Sequence, residues 1–211
     1  MKPEEHIRRW HDEFTAIRRD LHAHPELGFE EHRTARVVQE NLARLGIEHH
    51  TGIGKTGIVA VIPGRSNTRG RSVGLRADMD ALPLLEENDF AHKSRYEGRM
   101  HGCGHDGHTT MLLAAARYLH ETRNFDGTAY LIFQPGEEGY AGAKAMIEDG
   151  LFEVDLGVEV REKPRGIAFM MYSQEVETPR QQPAAQPHYA GAIELEAEPF
   201  VSRYERLSKI K

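Results

Sequence analysis

At 211 residues the chain has room for one good-sized domain or two small ones, and its balance of 39% hydrophobic to 28% charged residues is that of an ordinary globular protein. A net charge of −6 with no basic run argues against nucleic acid as a partner, and no apolar stretch approaches the roughly 18 residues of a membrane span. A single cysteine, Cys103, excludes an internal disulfide, and the charged N-terminus lacks the apolar core of a signal peptide; both point to a cytoplasmic protein.

Ile7, Trp10, Phe14, Ile17 and Leu21 recur every three or four residues and predict a first helix that ends before Pro25. The stretch "EEHRTARVVQENLARLG" predicts a second, with Val37, Val38, Leu42 and Leu45 facing inward and Gly46 as a left-handed cap. "GIVAVIPG" reads as a short strand closed by Pro-Gly, and Val73 to Ala77 as another that runs into the loop "DMDALP". "HTTMLLAAARYLHE" predicts a helix with Thr109 or Thr110 near its start and Met111, Leu112, Ala115, Tyr118 and Leu119 buried. Thr128 to Phe133 reads as a strand that opens into the Gly-rich "QPGEEG", and "AGAKAMIEDG" as a short helix ended by Gly150.

Alternating helices and continuous apolar strands favour an α/β fold, a three-layer sandwich whose mixed, largely buried sheet is flanked by helices. Ligands in such folds gather beyond the carboxyl ends of strands. Asp78 and Asp80 follow one strand, and Glu137 and Glu138 another. After about residue 160 the texture changes: "TPRQQPAAQPH" reads as a linker or disordered segment, and "FVSRYERLSKI" as a short terminal helix.

Twelve of the 13 histidines lie within residues 1–120, the other being His188, and three of them crowd into "MHGCGHDGHTTM". There Cys103 and His105 stand two residues apart among Gly102, Gly104 and Gly107, so both side chains can turn to one centre. Thiolate and imidazole together suit zinc and similar ions. The same pair also fits a buried structural cysteine, or a thiol nucleophile with a histidine base. Glu137-Glu138 lies between Gly136 and Gly139, which lets one carboxylate bind a metal while the other takes a proton; two solvated loop glutamates is the simpler alternative. Asp78 and Asp80 fit a ligand, an acceptor that orients an imidazole, or an Asx turn. His22 and His24 sit at a helix end and are read as complements to its dipole.

Five stretches in order, "RRDLHAHPELGFEE", "GIGKTGIVAVIPG", "LRADMDALPLLEEN", "MHGCGHDGHTTMLLAAARYL" and "LIFQPGEEGYAGAKAMIEDGLFE", together resemble the N-terminal half of an M20-type metallo-amidohydrolase. The most similar branch holds hippurate hydrolases, N-acyl-amino-acid amidohydrolases and auxin-conjugate hydrolases. The resemblance implies two divalent metal ions, whether zinc, manganese, cobalt or nickel, and cleavage of the amide bond of a small N-acyl amino acid. It implies Cys103, His105 and Glu138 as metal ligands, Glu137 as the general base, and Asp80 as the residue that orients a ligand. The metals would lower the pKa of a bridging water and polarise the carbonyl, while Glu137 moves the proton to the leaving amine.

The resemblance runs from about Arg18 to Glu153. A further histidine ligand is expected near a "VDAVFGLHNWPG"-like strand, but this chain reads "FEVDLGVEVREKPRG", with Arg161 about where that histidine belongs. No histidine lies between His120 and His188, and no lid domain, the element expected to form a homodimer and read the substrate, is recognisable. The expectation is therefore residues 1–155 as the N-terminal part of a catalytic domain, incomplete relative to the family, and 156–211 as a divergent tail. The alternative function is a truncated, non-catalytic fragment that binds at most one metal.

Overall fold

The computed structural model describes residues 3–151 and the backbone of residues 167–169. Within them the order is α1 (Pro3–Ala23), α2 (His32–Arg44), β1 (Glu48–Ile53), β2 (Gly57–Pro63), β3 (Ser72–Asp78), α3 (His105–Thr122), β4 (Thr128–Gln134), α4 (Gly142–Glu148) and β5 (Ile167–Phe169). Arg161, His188, the Pro/Gln-rich stretch and the expected terminal helix lie outside the described residues.

The five strands form one mixed sheet in the order β1-β2-β4-β3-β5. Antiparallel pairing joins β1 to β2 and β2 to β4, while β3 runs parallel to β4 and to β5. Every residue of β4 is buried, and so are the first six of β2, which is why both read as continuous apolar runs. Alternation sorts their side chains between two layers. Ile58, Ala60 and Ile62 join Ala129, Leu131 and Phe133 in a core with Trp10, Phe14, Val38, Leu42, Leu112 and Leu113 of the first three helices. Val59, Val61, Tyr130 and Ile132 face the other way, onto Met146 of α4. The arrangement is the expected three-layer α/β sandwich.

Three local expectations are corrected, and one strand goes unpredicted. The helix predicted from His108, with Thr109 or Thr110 near its start, begins at His105, three residues earlier, behind a left-handed Gly104 (φ 80°). Its buried residues include Leu112, Leu113 and Ala116, while Met111, Ala115, Tyr118 and Leu119 are only partly covered. Ile7 is exposed, because His6 takes the place against Tyr118, with ring centroids 5.4 Å apart. β1 has no apolar period to announce it: "EHHTGI" is an edge strand with only Ile53 buried, held by its backbone ladder to β2.

The feature that positions the site is the β3–β4 pair. Its parallel register runs from Ser72 opposite Thr128 to Asp78 opposite Gln134, so both carboxyl ends finish at the same edge of the sheet. The Asp78–Asp80 segment and the Pro135–Ala141 loop leave that edge side by side.

Candidate metal centre

His105 opens α3 beside these two strand ends and is buried. Its two ring nitrogens face different surroundings. Nδ1 lies 2.9 Å from the backbone carbonyl oxygen of Asp80, to which it donates when protonated, and 3.3 Å from Asp80 Oδ1. Nε2 faces carboxylates: Asp78 Oδ1 at 3.5 Å, Glu138 Oε1 at 3.8 Å and Glu137 Oε2 at 4.0 Å. An acceptor at Nδ1 holds the proton there and leaves the Nε2 lone pair free, the arrangement seen in metal-ligating histidines. Asp80 also steadies the opposite wall, because its Oδ2 accepts the Glu138 amide at 2.8 Å.

The donor atoms of Cys103, His105 and Glu138 all lie within 4.8 Å of one another, and so do those of Asp78, His105 and His108. His105 belongs to both groups. Asp78 Oδ1 lies 2.6 Å from His108 Nδ1, and Asp78 Oδ2 accepts from Arg76 Nη1 at 2.7 Å. Glu137 is the most open of the site carboxylates, its side chain 43% exposed against 22% for Glu138.

The electrostatics favour a cation. Burial works to raise Asp78 and Asp80, but hydrogen bonds from His108 and His105, with the Arg76 and imidazole charges, outweigh it and hold both below the usual carboxylate range. Burial also works to lower His105, yet Asp80, Asp78 and Glu138 raise it overall. Cys103 is exposed as a residue, but burial of its thiol, its hydrogen bond to Glu138 and the charges of Glu137 and Asp78 push it up to about 12. The carboxylates that oppose a thiolate here would instead favour, with it, a divalent ion, which deprotonates a coordinating thiol. A set of one sulfur, imidazole nitrogens and carboxylate oxygens fits a zinc-like transition metal.

The structure thus brings together Asp78, Asp80, Cys103, His105, Glu137 and Glu138, the acids, thiol and imidazole that the sequence offered. It adds His108, which joins Asp78 in a second donor group sharing His105, a pairing across 30 residues that no local pattern reveals. The reading of His22 as a helix-end complement is corrected. His22 is buried, with Nδ1 2.7 Å from Asp106 Oδ2 and Nε2 3.1 Å from Glu86 Oε1. Arg18 Nε also reaches Asp106 Oδ2, at 2.9 Å, so the first turn of α3 is anchored to α1 beside His105. His24 does cap its helix, with Nδ1 2.7 Å from the Asp20 carbonyl oxygen.

Comparison with known proteins supplies an independent line. The sequence model of peptidase family M20/M25/M40 matches residues 74–200. A hippurate hydrolase of Campylobacter jejuni is 55% identical over 141 residues, which are 67% of this chain and 36% of that protein. An IAA-amino acid hydrolase of Arabidopsis thaliana, ILR1-like 2, is 48% identical over 140 residues, 66% of this chain and 31% of that protein. The chain therefore spans about a third of the length of the curated relatives it matches. Among solved structures, the Bacillus subtilis YXEP protein, described as a dinuclear metal binding peptidase, superposes with a TM-score of 0.65 at 39% identity, covering 69% of this chain and 41% of that one.

Proposed function

The chain belongs to peptidase family M20/M25/M40, and from that premise we propose that it is a metal-dependent amidohydrolase cleaving the amide bond of small N-acyl amino acids. The observation that carries the proposal is the convergence of Cys103, His105 and Glu138 donor atoms within 4.8 Å, with a second carboxylate, Glu137, next to Glu138. The hydrolase names of the relatives at 55% and 48% identity support the reaction class. A lone thiol and the absence of a long apolar helix among the described residues accord with a cytoplasmic reaction on a small molecule.

Cys103, His105 and Glu138 would hold one divalent ion, and Asp78 and His108, with His105 between them, offer donors for another. Such an ion, when bound, polarises an amide carbonyl and acidifies water. The chain's own side chains do the rest. Glu137, open to solvent beside the ligand group, takes a proton from the water whose oxygen attacks the carbonyl carbon. As the C–N bond breaks, Glu137 returns that proton to the departing amine. Asp80 keeps the His105 proton on Nδ1 and holds the Glu138 backbone, so that neither turns away during the cycle.

The chain's coverage of only 36% of its hippurate hydrolase relative favours a second reading, a fragment that binds at most one ion and does not turn over. Elemental analysis with a hydrolysis assay on hippurate separates the two. Two ions per chain, with turnover lost in Glu137→Gln, support the hydrolase. One ion or none, with no turnover at any metal concentration, assigns the chain to the second reading. Activity that survives chelators and is lost on alkylation of Cys103 would instead mark a thiol nucleophile.

A further inference from the structure

Glu31 has no exposed surface at all, and no cation pairs with it among the described residues. Its carboxylate is met by neutral donors: the Thr56 hydroxyl donates to Oε2 at 2.6 Å, and the Gly136 amide to Oε1 at 2.7 Å. Burying a carboxylate without a cation costs several kcal/mol in order of magnitude, so an apolar side chain would fill the same space at lower cost. What an apolar side chain cannot do is accept a hydrogen bond from Gly136.

Gly136 stands immediately before Glu137. The amide immediately after, that of Glu138, donates to Asp80 Oδ2 at 2.8 Å. Glu137 is therefore suspended between two peptide groups, each tied to a buried carboxylate from a distant part of the chain. The turn that carries Glu31 grips the same loop by packing. A Cβ added at Gly136 would lie 3.4 Å from the Phe29 ring and 3.0 Å from Tyr140 Cβ, so the glycine backbone is pressed against both. Lys55 Nζ sits 4.1 Å from the Phe29 ring centroid, and Tyr140 meets Phe29 edge-on at 6.0 Å. Phe29 (φ 65°), Lys55 (φ 79°) and Ala141 (φ 56°) all hold left-handed conformations that L side chains resist. Strain of this kind persists only where surrounding contacts over-determine the backbone, and it collects at functional loops.

We propose that Glu31 is a positioning residue for Glu137: by accepting the Gly136 amide it fixes the acid loop so that the Glu137 carboxylate faces His105. The proposal rests on the reading of Glu137 as the proton carrier.

The test compares Glu31→Leu, which keeps the volume and removes the acceptor, with Glu31→Gln, which keeps an acceptor oxygen for Gly136. Amide hydrogen exchange on the full chain supplies the first measurement. In Glu31→Leu, Gly136 should exchange at least about ten times faster while Leu131 and Phe133 of β4 keep their native rates, and Glu31→Gln should restore Gly136. Hippurate hydrolysis supplies the second: kcat should fall about a hundredfold in Glu31→Leu with KM unchanged, as expected for a misplaced catalytic group, and recover in Glu31→Gln. Cobalt(II) affinity should stay within about threefold of native, because Asp80 still holds Glu138. Native exchange at Gly136, or native kcat, in a folded Glu31→Leu would overturn the proposal. If Glu31→Leu unfolds, Glu31→Asp decides, since the shorter side chain cannot reach Gly136: protection lost at Gly136 alone supports the proposal, and native protection overturns it. If the native chain does not hydrolyse hippurate with metal supplied, the hydrolase reading fails, and the exchange measurement still judges the positioning.

Discussion

Replacing Asp80 by alanine isolates what a buried carboxylate does for the ligands on either side of it. The substitution removes the acceptor of the Glu138 amide, a 2.8 Å bond to an ionised oxygen. Hydrogen bonds to charged groups contribute about 1.5–3 kcal/mol. It also removes Oδ1, 3.3 Å from His105 Nδ1. It leaves the 2.9 Å contact from that nitrogen to the residue's own carbonyl oxygen, which no substitution at position 80 deletes. The imidazole therefore keeps its tautomer, and the loss falls mainly on the Glu138 side. Removing outer partners of metal ligands weakens binding by about 10- to 100-fold. The retained carbonyl places Asp80→Ala near the lower end, about tenfold or ~1.4 kcal/mol. Cobalt(II) titration followed through the thiolate charge-transfer absorption of Cys103 measures this directly. Asp126→Ala, which disturbs only the exposed contacts to Ser66 and Thr68, is the control and should leave cobalt affinity unchanged. An Asp80→Ala chain that binds cobalt within twofold of native would refute the reasoning that this carboxylate organises the ligands.

Glu137→Gln should lower turnover by about 10²–10⁴-fold, the usual contribution of a general base, and leave cobalt affinity within a few-fold; a matching loss of metal binding would mean that Glu137 is a ligand instead. Gly142→Ala should disrupt the acid loop, because its Cβ would overlap the Pro135 carbonyl oxygen, whereas Gly104→Ala meets nothing within 4 Å and should cost only about 1 kcal/mol for its left-handed backbone; urea titration of the two variants ranks them. Leu112→Ala, at 0% exposure between α3 and the sheet, should cost about 2–5 kcal/mol by the same measurement, and a loss under 1 kcal/mol would contradict the packing described. Stability should also carry a pH signature from His22. Burial works to lower this histidine, but Asp106 and Glu86 outweigh it, with Arg18 opposing them, and the folded value lies above the ordinary 6.5. His92 and His101 also face its ring, at 5.7 and 6.3 Å. A raised folded value means that the contribution is complete below 6.5 and is lost as pH climbs through the folded value, so His22→Gln should flatten the fall in stability above 6.5 seen in native chain by chemical denaturation.

The elements with a strong local signature are those that sequence determines on its own. β2 and β4 are buried on both faces and so read as unbroken apolar runs, and α2 shows its buried stripe at Val38 and Leu42. The glycines around Cys103 and the Glu137–Glu138 pair mark two loops built for unusual backbone and close approach. β1 escaped because an edge strand is held by backbone hydrogen bonds, which any side chain permits. The start of α3 escaped because its first turn carries His105 and Asp106 as buried polar groups, where a period of apolar residues cannot show them. Convergence belongs to the tertiary structure alone. Only the parallel register of β3 on β4 sets Asp78 and Asp80 beside the acid loop. Only the packing of the Gly28–Glu31 turn brings a carboxylate to an amide 105 residues away. Side-chain periodicity reports which face of an element is buried; which two loops meet is decided by strand pairing and packing, through contacts that leave no imprint on neighbouring residues.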